Sequence, residues 1–203
     1  MVRIVALASG RGSNFAAILA AVQSKTIPNS EMVGLVVDRP STGAQNHAQQ
    51  SNVECTVVDY SNFQLKIDYH LAFAEAVESF QPDLIVAAGY MRILDSDFVR
   101  RYKNRILNIH PSLLPAFVGL KAQRQAIEYG VKVAGCTVHF VDQGLDSGPI
   151  VIQKAINVPE NSTEESLSTL IRTLEHSAYI EAVSLFCADR LQVEGRVVKI
   201  SKQ

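Results

Sequence analysis

Short apolar runs alternate with longer amphipathic stretches along the chain, the pattern of repeated strand–helix–strand units. Val2–Leu7 is β-branched and apolar enough for a central strand, and the turn residues Ser9–Asn14 follow it. Phe15–Val22 predicts a helix with Asn14 or Ser13 as N-cap. Met32–Val37 predicts a second strand that Pro40 cannot continue, Ala44–Gln50 a helix, and Cys55–Val58 a short third strand. In the helix predicted over Leu65–Phe80, Ile67, Leu71, Ala74 and Val77 form one apolar side, flanked by Phe73 and Phe80. Leu84–Ala88 and Ile106–Ile109 predict two more strands. Gln123–Tyr129 predicts a helix that Gly130 closes in a left-handed C-cap.

From there the strands are closely spaced: Ala134–Val141 and Ile150–Ile156 joined by a glycine-rich loop, with Val197–Ile200 as an edge strand. A long helix runs from Thr163 to about Ala188, and Ser162 with Glu165 fits a capping box. The expected fold is α/β, a Rossmann-like open twisted sheet with helices on both faces. Its N-terminal half is parallel, and mixed or antiparallel strands are added in the C-terminal half. No repeat or linker interrupts residues 1–203, so one domain is expected, with halves over about 1–100 and 101–203.

Composition removes several classes of function. Of 203 residues, 47% are hydrophobic and 19% charged, enough to bury a core. Lys and Arg number 19 against 20 Asp and Glu, a formal charge of −1 that gives no electrostatic basis for binding nucleic acid. No run reaches the roughly 18 apolar residues of a membrane span. The first apolar run leads into a glycine loop rather than a cleavage site, so a cytoplasmic protein is expected. Cys55, Cys136 and Cys187 have no spacing that suggests a metal site or a disulfide framework, and no metal is expected.

Two places carry candidate chemistry. Gly10-Arg11-Gly12-Ser13-Asn14 lies between a strand and a helix, where backbone N–H groups and the helix dipole favour a phosphate. It half matches a dinucleotide fingerprint, with Asp38 placed for a ribose hydroxyl, but Phe15 stands where the third glycine belongs. An ordinary capped turn remains the plain alternative. The strand ending Asn108-Ile109-His110-Pro111 puts Asn108 and His110 on one face, about 6–7 Å apart. Asp146 lies in the loop Gly144-Leu145-Asp146-Ser147-Gly148-Pro149. An amide N–H and an imidazolium suit the oxyanion of acyl transfer, and a carboxylate beside the ring favours its charged form. A satisfied core histidine and a turn aspartate are the structural alternative. His139, on an alternating strand near the site, is read as structural, and His176 as either a site neighbour or a surface residue.

These residues resemble the phosphoribosylglycinamide formyltransferases, folate-dependent enzymes of purine biosynthesis. The resemblance rests on Ser9–Asn14, Ala88-Gly-Tyr-Met-Arg-Ile-Leu94, Asn108-Ile-His-Pro-Ser-Leu-Leu-Pro-Ala-Phe117, and Gly135–Val141 running into Leu145-Asp-Ser-Gly-Pro149. It implies transfer of a formyl group from 10-formyltetrahydrofolate, a co-substrate, to the amine of 5-phosphoribosylglycinamide. By the same resemblance Asn108, His110 and Asp146 are catalytic, and Gly12, Ser13 and Asn14 bind the phosphate. Arg172 and Glu175 meet the ribose and amine. Met91, Arg92, Ile93 and Leu94 line the folate pocket together with Asn108, Asp142, Gln143, Gly144, Leu145 and Asp146. The sequence departs from the family at Val118, Lys121-Ala122-Gln123 and Gln143, and the alignment does not fix Lys66 as a further folate-side cationic residue. The implied partners are small molecules only, with no nucleic acid and no membrane, for a monomer or weak homodimer. Two alternatives stand beside this reading. One is a formyltetrahydrofolate hydrolase, which shares the trio and is expected to carry a further N-terminal domain; the other is a NAD-binding regulatory module built on the glycine loop and Asp38.

Overall fold

A computed structural model describes residues 1–202 of the chain, which divides into two compact units, Met1–Leu107 and a second from Asn108 onward. The first contains β1 (Val2–Ala8), α1 (Ser13–Gln23), β2 (Ser30–Val37), α2 (Gly43–Gln50), β3 (Cys55–Val57), α3 (Lys66–Glu78), β4 (Leu84–Ala87) and α4 (Ser96–Arg101). Its strands run β3-β2-β1-β4, and β1 pairs in parallel with both β2 and β4. Ile4, Val5, Ala6 and Leu7 are all fully buried, so both faces of β1 are covered, as a parallel sheet requires. The unbroken apolar run at the N-terminus is the sequence form of that two-sided burial.

β5 (Ile106–His110) runs through the boundary between the units. The second unit continues with α5 (Ala122–Tyr129), β6 (Val133–Phe140), β7 (Ile150–Asn157), α6 (Glu164–Cys187), β8 (Leu191–Glu194) and β9 (Val197–Ile200). Here β6 and β7 are antiparallel, β8 and β9 are antiparallel, and β7 meets β9 in parallel at Ile150 and Val197. Alternate residues of β7 are covered and open, the habit of a sheet with one wet face. α6 lies on β6 and β7 and buries Leu167, Ile171, Ala178, Tyr179, Ala182 and Val183. The α/β class and the change from parallel to antiparallel pairing agree with the sequence reading.

Several local expectations are corrected. α1 begins at Ser13, and its N-cap is Gly12 in the left-handed region (φ 76°), so neither Ser13 nor Asn14 caps it. The capping box of α6 pairs Thr163 with Ser166, one residue beyond the expected Ser162 and Glu165. On α3 the expected apolar side holds in part: Val77 and the flanking Phe73 and Phe80 are buried, but Ile67 and Leu71 face solvent and Tyr69, which was not expected, is buried. Phe73 meets the rings of Tyr69, Tyr90 and Phe98, and this aromatic packing centres the buried face on Tyr69 and Phe73. Among the described residues no helix is long and apolar enough to cross a membrane.

Candidate active site

In the first unit the glycine loop owes its shape to packing. Gly12 abuts the start of α2: a Cβ there would lie 2.6 Å from Ala44 Cα, and one on Gly43 would lie 2.6 Å from the Arg11 carbonyl oxygen. These two glycines let the loop and the first turn of α2 pass at backbone distance, and Ala44 N–H donates to the Gly10 carbonyl (3.2 Å). The loop delivers Ser13 and Asn14 to the N-terminus of the eleven-residue α1, where first-turn N–H groups and the helix dipole favour an anion. Asp38 does not serve as a ribose contact. It is fully buried, takes Arg92 Nε at 2.7 Å and Arg39 Nε at 3.2 Å, and leaves nothing for a dinucleotide.

Arg92 is held from two sides. Asp38 takes its Nε edge, and its guanidinium lies 3.6 Å above the centre of the Tyr60 ring, a cation–π contact. Tyr60 lies in a 3₁₀ turn (Tyr60–Asn62) that no sequence signal marked. The Met91 N–H donates to Ser9 Oγ (2.9 Å), so the chain after β4 is tied to the end of β1. Met91 and Ile93 are exposed and Leu94 is half-buried.

The second unit gathers Asn108, His110 and Asp146. Alternation along β5 puts the first two on one face. The carboxylate Oδ2 of Asp146 lies 3.3 Å from His110 Nδ1 and accepts the Gly119 N–H at 2.8 Å. His110 is 5% exposed, and its Nε2 lies 2.8 Å from the Phe117 carbonyl oxygen. Each ring nitrogen thus lies near an oxygen, the Asp146 carboxylate on one side and the Phe117 carbonyl on the other. His139 closes the group: its Nε2 is 3.1 Å from Asn108 Nδ2 and 3.8 Å from Asp146 Oδ1. Burial pushes the proton affinity of His139 below the usual histidine range.

Two devices aim these groups. The register of β6 against β7 shifts between Val138 and His139, and because the extra residue, Val151, lies on β7, β6 carries its alternation unbroken to His139. Thr137, one step back on the same face, donates to the Ser112 carbonyl (2.7 Å) and accepts from Leu114 N–H and Gln153 Nε2 (both 3.0 Å). That stitches the chain after His110 to β6 and fixes where the segment leading to Phe117 runs. In the loop after β6, Asp142 Oδ1 accepts from Ser147 Oγ (2.7 Å) and Gly144 N–H (3.1 Å). Gly148 packs so tightly that a Cβ would lie 1.8 Å from the Phe140 carbonyl oxygen. Gln143, Gly144 and Leu145 are exposed, and Asp142 is half-buried.

Arg172 and Glu175 are half-buried on α6, at the three-residue spacing that puts them on one side of the helix. His176 follows with its Nε2 buried and without a hydrogen-bond partner, and burial beside Arg172 lowers its proton affinity. Burial pushes the Cys136 thiol up to about 12, so it is no nucleophile. Among the described residues no group of three or more His, Cys, Asp or Glu is arranged to hold a metal ion. The Phe117 carbonyl and Gly119 N–H escaped the sequence reading because main-chain groups have no residue signature. His139 was visible: Thr137-x-His139 repeats the spacing of Asn108-x-His110 on the neighbouring strand.

Comparison with known proteins supplies the context. A family model described as formyl transferase matches residues 2–183. The phosphoribosylglycinamide formyltransferase of Bacillus subtilis is 39% identical over 179 residues, which cover 88% of this chain and 91% of that protein. The trifunctional purine biosynthetic protein adenosine-3 of Gallus gallus is 36% identical over 98% of the chain, and the chain spans only 20% of that relative's length. The crystal structure of glycinamide ribonucleotide transformylase 1 from Symbiobacterium toebii superposes with a TM-score of 0.96 at 44% identity, covering 100% of this chain and 95% of that one. The chain belongs to the formyl transferase family.

Proposed function

We propose that the chain transfers the formyl group of 10-formyltetrahydrofolate to the amino group of 5-phosphoribosylglycinamide, a step of de novo purine biosynthesis. The observation that carries this reading is the buried His110–Asp146 pair with Asn108 beside it: two donors and a carboxylate around one point, which is the equipment of acyl transfer. Gly12, Ser13 and Asn14 receive the ribonucleotide phosphate at the start of α1. Arg172 and Glu175 take its ribose and amine. Met91–Leu94 and Asp142–Asp146 hold the folate, whose role is that of a co-substrate.

The amine lone pair attacks the formyl carbon, and the carbonyl electrons move to oxygen. His110 Nε2–H turns from the Phe117 carbonyl to that oxygen, and Asn108 donates its second amide hydrogen. Asp146 holds the charged ring and, directly or through water, passes the proton lost by the attacking nitrogen to the folate N10 as the C–N10 bond breaks. The N-formylated ribonucleotide and tetrahydrofolate leave, and no covalent enzyme intermediate is needed.

The hydrolase reading differs only in its acceptor, and the phosphate-type loop together with the names of the relatives favours the amine. The NAD reading loses its ribose contact with Asp38. A near-neutral chain acting on small molecules as a monomer or weak homodimer in the cytoplasm fits this role. Folate absorbance, followed with and without the ribonucleotide, tests it. Turnover that depends on the ribonucleotide and falls at least 100-fold in His110→Ala is expected. Equal turnover without the ribonucleotide makes the chain a hydrolase, and near-normal kcat in His110→Ala removes that residue from the chemistry.

A further inference from the structure

We infer that His139 is a positioning residue: as a neutral ring protonated on Nδ1, it fixes which way the Asn108 amide points. The inference rests on the formyl-transfer reading above and adds a residue to it. His139 is 2% exposed, so its hydrogen bonds are not exchanged with water. Its Nδ1 lies 2.9 Å from the Phe140 carbonyl oxygen, which accepts and never donates, so Nδ1 carries the proton. In the neutral ring Nε2 then bears a lone pair, and the group facing it must be a donor. Asn108 meets that demand with Nδ2 at 3.1 Å.

The amide therefore has one orientation. One Nδ2 hydrogen is spent on His139, and the second diverges from it, free for the oxygen of the formyl group. Turned over, the amide would present an oxygen lone pair in that same direction and repel a developing oxyanion. Protonating His139 brings about that reversal: Nε2–H then opposes the amide donor, and its nearest acceptor is Asp146 Oδ1 at 3.8 Å. One proton on His139 would misdirect Asn108 and draw Asp146 away from His110. The titratable groups bearing on His139 are His110 on β5, and Asp146 and Asp142 in the loop after β6. The carboxylates favour the proton, while His110 and burial oppose it, and burial is the largest influence.

Three measurements test this. His139→Leu removes the acceptor, and a kcat loss of about 10- to 100-fold with KM values little changed is expected, the range for a displaced or lost donor. Because His139 acts through Asn108, Asn108→Ala/His139→Leu should be within about twofold of Asn108→Ala alone; losses that multiply overturn the proposal. His139→Gln places an amide oxygen near the position of Nε2 and cannot titrate. It should keep most of the wild-type kcat, and the ratio of wild-type to variant kcat should fall as pH drops below the ordinary histidine value of 6.5. A pH-independent ratio overturns the proposal. Should His139→Leu fail to fold, the Gln variant still decides, as does the tautomer read by nitrogen-15 NMR of the wild-type ring: a proton on Nε2 instead of Nδ1 refutes the assignment. A wild-type protein without formyl transfer defeats the underlying reading and leaves the tautomer measurement standing.

Discussion

Gly148→Ala is the substitution that most directly couples packing to chemistry. A Cβ on residue 148 would lie 1.8 Å from the Phe140 carbonyl oxygen and 2.9 Å from its carbon, whereas real Cβ atoms keep at least 3.0 Å. The loop and β6 must part by about 1.2 Å, and neither side is a flexible side-chain end. Asp146 is two residues upstream on that loop, and the Phe140 oxygen is also the acceptor of His139 Nδ1. Overpacking of this kind costs about 1–3 kcal/mol. In a chain of this size that corresponds to a Tm lower by about 2–4 °C per kcal/mol. A displacement near 1 Å at a reacting group costs on the order of 100-fold in rate. Because the displacement falls on Asp146 and on the strand that carries His139, the loss should appear chiefly in kcat. Steady-state kinetics at 20 °C, well below the melting range, separates misplacement from unfolding. A Gly148→Ala protein with kcat within twofold of wild type and an unchanged Tm would refute the reasoning.

Two further expectations concern stability. Gly12→Ala must place a side chain at φ 76° and 2.6 Å from Ala44 Cα, so a loss of about 2–5 kcal/mol in urea unfolding is expected; a loss below about 1 kcal/mol would show that α2 yields freely. His139 binds its proton less readily folded than unfolded, so between its lowered folded value and 6.5 the unfolded chain holds more protons. Stability should therefore decline as pH falls through that window and level off below it. His139→Gln should show a smaller drop between pH 7.5 and 5.5, and equal drops in both proteins would contradict this.

The sequence disclosed what depends on pattern and left out what depends on neighbours. β1 and β4 were legible because two-sided burial demands unbroken apolar runs. α4 and β8 were not: the six residues of α4 are too few for a period, with only the Asp95 side chain, accepting the Asp97 N–H, to mark its start, and the Gln and Glu of β8 break the apolar run that made the equally short β9 legible. On α3 Val77, Phe73 and Phe80 were read correctly, but Ile67 and Leu71 were counted inward and Tyr69 was passed over, because its partners Tyr60 and Tyr90 lie elsewhere in the chain. At the site, residue type singled out Asn108, His110 and Asp146 as candidates beside a structural alternative, and only the resemblance to the formyltransferases gave them a catalytic role. The tight seats of Gly12 and Gly148 exist only once distant backbones are brought together, and the same is true of the tautomer of His139.

The Phe117 carbonyl has an energetic consequence for what the protein can recognise. A ligand oxygen that engages His110 must replace an oxygen already in place, so the exchange is nearly balanced and yields little net affinity. Discrimination among formyl donors and acceptors must then come from groups remote from the bond being made, such as the phosphate and the pterin. The transferred unit itself contributes chiefly as charge builds on its oxygen, when the charge-assisted bond outcompetes a neutral peptide carbonyl. Fragments bearing a formyl group alone should bind weakly to this chain, however well they fit beside the ring.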